Sequence, residues 1–140
     1  MKRRVGSVAV EPCPCGQSDA VGRVLPLARC CGRFLGPHAD AAPDARALMR
    51  SRYSAFVLRR ADYLLATWHP SRRPAQIGFE PGVKWLGLEL RQYLLLDARH
   101  AMVEFVARQR LGNGRGVRLH ERSRFECADG RWYYVDGDLL

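Results

Sequence analysis

Lysine is nearly missing from this chain: among 23 basic residues only Lys2 and Lys84 are lysines, and the others are arginines. Acids are also scarce, 14 against those 23, which leaves a formal charge of +9 and a pI near 10.0. No apolar run approaches the roughly 18 residues of a membrane span, so a membrane protein is not expected. The basic start, Met1-Lys2-Arg3-Arg4, precedes an apolar stretch that is too short for a secretory signal and ends at Glu11. A soluble, cytoplasmic protein is the expectation. Repeats and low-complexity tracts are absent. Ser-His-Asp order, H-E-x-x-H and a phosphate loop are absent too, so no catalytic residue is assigned.

What remains is ordinary globular material. The 140 residues suit about one domain, with 47% hydrophobic and 26% charged residues. The arginine excess has two readings. Codon usage in a GC-rich genome is one, and the abundance of alanine and glycine agrees with it. Attraction to nucleic acid or an acidic protein surface is the other.

Composition divides the chain. Residues 1–42 are rich in Cys, Pro, Gly and Ala without periodicity and read as a small loop-built module. Pro43-Asp44 then opens a helix, with proline suited to the first turn and the acid to the positive end of the dipole. Ala45, Leu48, Met49, Tyr53, Ala55, Phe56 and Val57 recur at the helical period. A shorter helix over 62–68 stops at His69-Pro70, because the residue before proline disfavours helix. From Val83 the period becomes two. Strands are predicted over 84–96, 101–110, 117–127 and 132–136, joined by turns at 97–99, 112–114 and 129–130. Helices first and a meander afterwards predict an α+β fold with the helices on one face of the sheet.

Four of the five cysteines lie in the first 31 residues, as Cys13-Pro14-Cys15-Gly16 and Cys30-Cys31-Gly32. Four thiolates suit Zn²⁺ in a tetrahedron. They would leave a net charge of −2 there, which nearby Arg23, Arg29 and Arg33 are placed to offset. Gly32 would permit the backbone kink that an adjacent Cys-Cys pair needs. Metal binding would supply the folding energy of so small a module, roughly 10 kcal/mol or more. Disulfides or a redox dithiol are the competing readings, disfavoured by a cytosolic compartment and by the lack of C-x-x-C. Cys127 lies on a strand and reads as a small buried apolar residue.

Strand alternation assigns faces. Val117, Leu119, Glu121, Ser123, Phe125 and Cys127 share the inward side of the third strand. Arg52 lies within the apolar stripe of the first helix. Arg52 and Glu121 are therefore expected to pair, since an unpaired buried charge is very costly. His69 and Ser123 are candidates for the same interior. That constellation is either a ligand or catalytic pocket or a structural tie between helix and sheet. The outward face carries Arg108 and Arg110 beside Arg118, His120, Arg122 and Arg124, with Tyr133 and the opposing Glu104. Such a face suits single-stranded RNA, a plain solvated surface or a homodimer contact.

The paired cysteine motifs resemble the SEC-C zinc motif, named for the tail of the secretion ATPase SecA. The stretches Leu48 to Phe56, Asp62-Tyr63-Leu64, Thr67 to Pro70, Trp85 to Leu88, Phe105 to Arg108, Glu121 to Phe125 and Trp132 to Gly137 look like the bacterial YchJ family. The resemblance runs in order from Cys13 to Gly137. It implies a SEC-C module over 1–42 and, over 43–140, a domain similar to nuclear transport factor 2: a cone with a curved antiparallel sheet packed on helices. It also implies Zn²⁺ on Cys13, Cys15, Cys30 and Cys31, and contact with a protein partner through the module. The biochemical role carried by the family is unassigned. Two departures stand out. The spacer between Cys15 and Cys30 is 14 residues, longer than usual, and the second SEC-C motif of many relatives is not found.

Overall fold

The computed structural model describes residues 11–36 and 39–140. The reading of the basic start and the short apolar stretch after it falls outside the described residues.

The cysteine module is a narrow ribbon held by antiparallel bridges at Pro12↔Pro26 and Ser18↔Val24. Its tip is closed by Asp19, whose carboxylate accepts from the amides of Val21 and Arg23, both at 3.0 Å. A 3-10 turn over Leu27–Arg29 and the short helix α1, Gly32–Leu35, follow. Gly32 is required for closeness rather than for a special dihedral. A Cβ there would lie 2.6 Å from the carbonyl oxygen of Leu27, so any side chain would push α1 off the turn that positions the second cysteine pair.

Helix α2 runs over Ala45–Val57. Asp44 caps it, its Oδ1 accepting from the amide of Ala47 at 2.7 Å, which satisfies one of the orphan donors of the first turn. The helix is buried on two sides. Ala45, Leu48, Met49, Ser51, Arg52, Tyr53, Ser54 and Ala55 are all buried, because the cysteine module covers one flank and the sheet the other. Helix α3, Ala61–Ala66, is shorter than predicted. Its continuation is captured by the sheet: Trp68 forms a parallel bridge with Tyr134, with Tyr134 N donating to Thr67 O at 2.8 Å and His69 N to Tyr134 O at 2.7 Å.

Four strands follow: β1 Lys84–Asp97, β2 His100–Arg110, β3 Gly116–Ala128 and β4 Arg131–Leu139. They form one antiparallel meander in the order β1-β2-β3-β4. This is the α+β architecture that the change of period predicts. The one sizeable departure is β4, which continues past Asp136. Asp138 and Leu139 pair with Arg122 and Glu121, so backbone pairing carries the strand through Gly137.

One side of the sheet faces α2 and α3 and holds Val103, Phe105, Ala107, Phe125, Tyr134, Trp85 and Tyr93. The four module cysteines belong to the same buried cluster. No helix among the described residues is long and apolar enough to cross a membrane.

Candidate metal centre and its surroundings

Cys13, Cys15, Cys30 and Cys31 are all buried, and their sulfurs lie within 4.8 Å of one another. The Cys13–Cys15 and Cys15–Cys30 sulfurs are each 3.6 Å apart. A tetrahedron of thiolates at about 2.3 Å from Zn²⁺ has edges near 3.8 Å, whereas a disulfide requires about 2.05 Å. All five cysteines are free thiols, which removes the disulfide reading.

Local backbone places each sulfur. The turn after the first pair is closed by Gly16 N donating to Cys13 O at 3.1 Å, and Gln17 N points at Cys15 Sγ at 3.5 Å. The second pair sits where the 3-10 turn passes into α1, with Cys30 N donating to Leu27 O at 3.0 Å.

Four negative sulfurs cannot coexist here without a cation. Hydrogen bonding with Cys15 and with Cys31 holds Cys13 well below the ordinary thiol range. Burial, followed by the charge on Cys15 and Cys13, pushes Cys30 up to about 12. Cys31 is raised further, first through its bond to Cys13. A divalent metal that favours soft ligands is the species that would replace the thiol protons. The donor set therefore fits a metal ion.

The charge-offsetting groups are not those expected. Arg23 leans on Asp19 at 3.8 Å and is exposed. Arg29 is exposed and makes no hydrogen bond to a cysteine sulfur among the described residues. Arg33 donates through Nε to the Cys30 carbonyl at 3.1 Å, not to sulfur. Helix α2 supplies the groups that sequence reasoning missed. Arg50 Nη1 donates to Cys15 O at 3.3 Å and lies 3.9 Å from its Sγ, and Ser54 Oγ is 3.5 Å from Cys13 Sγ. The two are one helical turn apart and face the module together. Their i, i+4 spacing on the polar side of the helix was the available signal. Cys127 stands apart on β3, opposite Trp132.

The interior constellation differs from expectation. Arg52 is 4% exposed and does not pair directly with Glu121. Its Nη1 donates to Leu64 O at 2.8 Å and to Thr67 Oγ1 at 2.7 Å. Its guanidinium covers the rings of Trp68 and Tyr134, 5.2 and 4.7 Å from their centroids. Burial lowers its pKa to about 10, with Tyr134, Tyr63 and Glu121 opposing, so the group stays charged at neutral pH. Glu121 instead accepts from Ser123 Oγ at 3.0 Å and Tyr134 Oη at 3.2 Å. Gly137 is the residue that leaves room for that carboxylate, since a Cβ there would collide with it.

His69 is not in this interior. It stands at the β4 edge, its Nε2 3.6 Å from Glu126 and its ring edge-on to Tyr133, while Nδ1 closes a turn with Ser71. Pro70 turns the chain there, which is why adjacency to Trp68 misled. Two wide clefts of the surface lie elsewhere, one between α3 and the start of β4 and one beyond the end of α2, and neither is lined by Arg52, His69, Glu121 or Ser123.

The register Arg108↔Arg118, Val106↔His120, Glu104↔Arg122 and Arg110↔Gly116 puts the residues assigned to the outward face side by side. Much of its charge is internally matched. Arg124 reaches Asp136 at 2.6 Å and Asp138 at 2.8 Å. Arg122 lies 3.8 Å from Glu104, which His120 meets at 2.7 Å, and Arg108 lies 3.9 Å from Glu89. Arg110 and Arg118 have no acid partner among the described residues.

Comparison with known proteins agrees with this anatomy. A family model described as the YchJ middle NTF2-like domain matches residues 44–137. A UPF0225 protein of Polaromonas sp. (strain JS666) is 65% identical over 127 residues, covering 90% of this chain and 91% of that protein. A UPF0225 protein of Bordetella bronchiseptica is 53% identical over 146 residues, covering 99% of each. Among solved structures, the solution structure of a SEC-C motif containing protein from Rhodopseudomonas palustris aligns with a TM-score of 0.76 at 33% identity, covering 93% of this chain and 99% of that one. The crystal structure of a SEC-C motif containing protein from Psychrobacter arcticus aligns with a TM-score of 0.78 at 29% identity, covering 96% and 85%. With a sulfur cluster of SEC-C type leading into an NTF2-like domain, the chain belongs to the YchJ-like, UPF0225 family.

Proposed function

We propose that Cys13, Cys15, Cys30 and Cys31 hold one Zn²⁺ as a structural clamp, and that the chain is a non-enzymatic binding protein of the reducing cytoplasm. The observation that carries this is the closed, all-sulfur donor set. Four buried thiols leave no position for a substrate, which is the mark of a structural site rather than a catalytic one. Free thiols in a buried cluster also suit a reducing compartment. Metal analysis of the purified, reduced chain should return about one zinc per molecule, and recovery of none would remove the clamp.

The clamp braces a ribbon whose tip presents exposed Val21 and Val24 on either side of Arg23. Apolar side chains displayed on a rigid tip suit contact with a protein partner, in line with the resemblance to SEC-C modules. Cross-linking in cells followed by mass spectrometry should capture a protein whose recovery is lost with Val21→Asp plus Val24→Asp at unchanged zinc content. Equal recovery with the double variant would discard the tip as the contact.

RNA on the arginine face is supported less well, because Arg122 and Arg124 already face acids. Salt-dependent RNA retention abolished by neutralising Arg118, Arg122 and Arg124 would reverse that order.

A further inference from the structure

Beyond the end of α2 lies a cleft of about 580 Å³, within the roughly 300–1,000 Å³ of small-molecule sites. Phe56, Phe79 and Trp85 form its apolar wall. Phe56 meets Phe79 at 6.4 Å between centroids, at 82°, and Trp85 at 5.8 Å, at 44°, so the three rings brace one another. Arg59, Lys84, Glu80 and Gln109 supply the polar lining. Among the described residues neither Arg59 nor Lys84 has a carboxylate partner, and Glu80 has no cationic one. Two cations against one acid leave the lining net positive.

Two features of the backbone mark the cleft as built. The first is the end of α2. Arg59 N donates to Phe56 O at 3.3 Å and Arg60 N to Ala55 O at 2.8 Å, the paired bonds of a Schellman motif. The residue that must turn left-handed there is Arg59, at φ 58°. Glycine is the usual occupant, because an L side chain is strained in that region. Here the strained position carries a guanidinium to the lining of the cleft. The second is the wall formed by residues 78–83. Gly82 approaches the β2–β3 turn so closely that a Cβ on it would lie 3.1 Å from Gly112 Cα. Glycine facing glycine lets that wall fasten to the end of the sheet.

We propose that this cleft binds a small aromatic anion: a planar ring system seated against Phe56, Phe79 and Trp85, with its single negative group held by Arg59 and Lys84. The rings offer edges and faces for stacking. The two unpaired cations choose the charge, and Glu80 disfavours a second negative group. The site shares no residue with the cysteine cluster, so it stands or falls apart from the zinc reading.

The full chain carrying its metal is titrated with 2-naphthoate and, separately, with 2-naphthamide, which has the same shape without the charge. The indole signals of Trp68, Trp85 and Trp132 are followed by NMR. Naphthoate should move the Trp85 indole saturably and leave Trp68 and Trp132 in place. Naphthamide should bind at least about tenfold more weakly, the scale of a lost charge-assisted hydrogen bond. Arg59→Gly relieves the backbone, so its fold is secure. It should weaken naphthoate about tenfold and leave naphthamide unchanged. The proposal is overturned by a Trp85 signal that does not respond to naphthoate, by equal affinity for the two probes, or by an Arg59→Gly chain that binds naphthoate like the parent.

Discussion

Arg52 lies over the ring of Tyr134 at 4.7 Å, and the hydroxyl of the same tyrosine donates to Glu121 at 3.2 Å. One tyrosine thus stands between a buried cation and a partly buried carboxylate and serves both. Its face meets the positive charge and its edge meets the negative one. Burial is the main reason the Tyr134 hydroxyl keeps its proton far above the ordinary tyrosine range, with the adjacent Glu121 charge adding to it. It therefore remains a donor at any physiological pH.

Removing only the hydroxyl separates the two duties. Tyr134→Phe keeps the ring under Arg52 and takes one donor from Glu121, a loss of about 1 kcal/mol. Tyr134→Leu also removes the cation–π face and leaves Arg52 under-compensated, so a loss of about 3 kcal/mol is expected. Urea denaturation of the two variants measures the difference. Equal losses would mean that the ring contributes nothing beyond its volume.

Metal affinity should depend on helix α2 as well as on the cysteines. Ser54→Ala removes the hydroxyl beside Cys13 Sγ, and Arg50→Met removes the guanidinium beside Cys15. Each should lower zinc affinity by roughly tenfold, the usual scale for groups that orient metal ligands, as read by competition with a chromophoric chelator. Arg23→Gln, at an exposed position paired only with Asp19, should leave affinity unchanged.

The same strain that places Arg59 at the cleft makes a stability prediction. Arg59→Gly at φ 58° should stabilise the chain by up to about 1 kcal/mol, since glycine enters the left-handed region without a Cβ penalty. A raised denaturant midpoint checks it. A lowered midpoint would show that the Arg59 side chain contributes packing that outweighs the strain.

Acid sensitivity should trace to the outer face. Hydrogen bonding from Arg124, with its charge, holds Asp138 below the ordinary aspartate range. Hydrogen bonding from His120 does the same for Glu104. A carboxylate with a lowered folded-state pKa contributes stability above its unfolded value, and that contribution is lost as pH falls through the folded value. Arg124→Gln should therefore lower neutral stability slightly and flatten its fall below about pH 4, so that the two chains converge in acid. Arg124 and Asp138 are exposed, and exposed pairs are worth little, so the difference between the chains is small. Melting temperatures of both chains from pH 2 to 7 provide the measurement, and superimposable curves would refute the assignment.

The sequence by itself determined everything that depends on near neighbours. Asp44 before a 3.6-period stripe fixed the start of α2, and alternation after Val83 fixed which strand residues share a face. Two cysteine pairs in short glycine-bearing turns marked the four candidate ligands, with disulfides as the competing reading until the structure showed the sulfurs clustered and free. Each of these follows from backbone geometry over a few residues, which the residue order specifies directly. The family resemblance was legible for the same reason, through short motifs in order.

Tertiary packing decided what those residues met. Arg52 was correctly read as buried, yet its partners are a carbonyl, a hydroxyl and two rings, because Trp68 and Tyr134 come together only when the end of α3 bridges to β4. Glu121 found Ser123 and the same tyrosine. Arg50 and Ser54 reached the cysteines, where Arg23 and Arg29 did not. Side-chain reach is a few ångströms, and residues 35 and 41 positions away along the chain enter that radius only after the helix has docked. β4 outran its predicted end at Asp136 on the same ground, since pairing with β3 carries the backbone through Gly137.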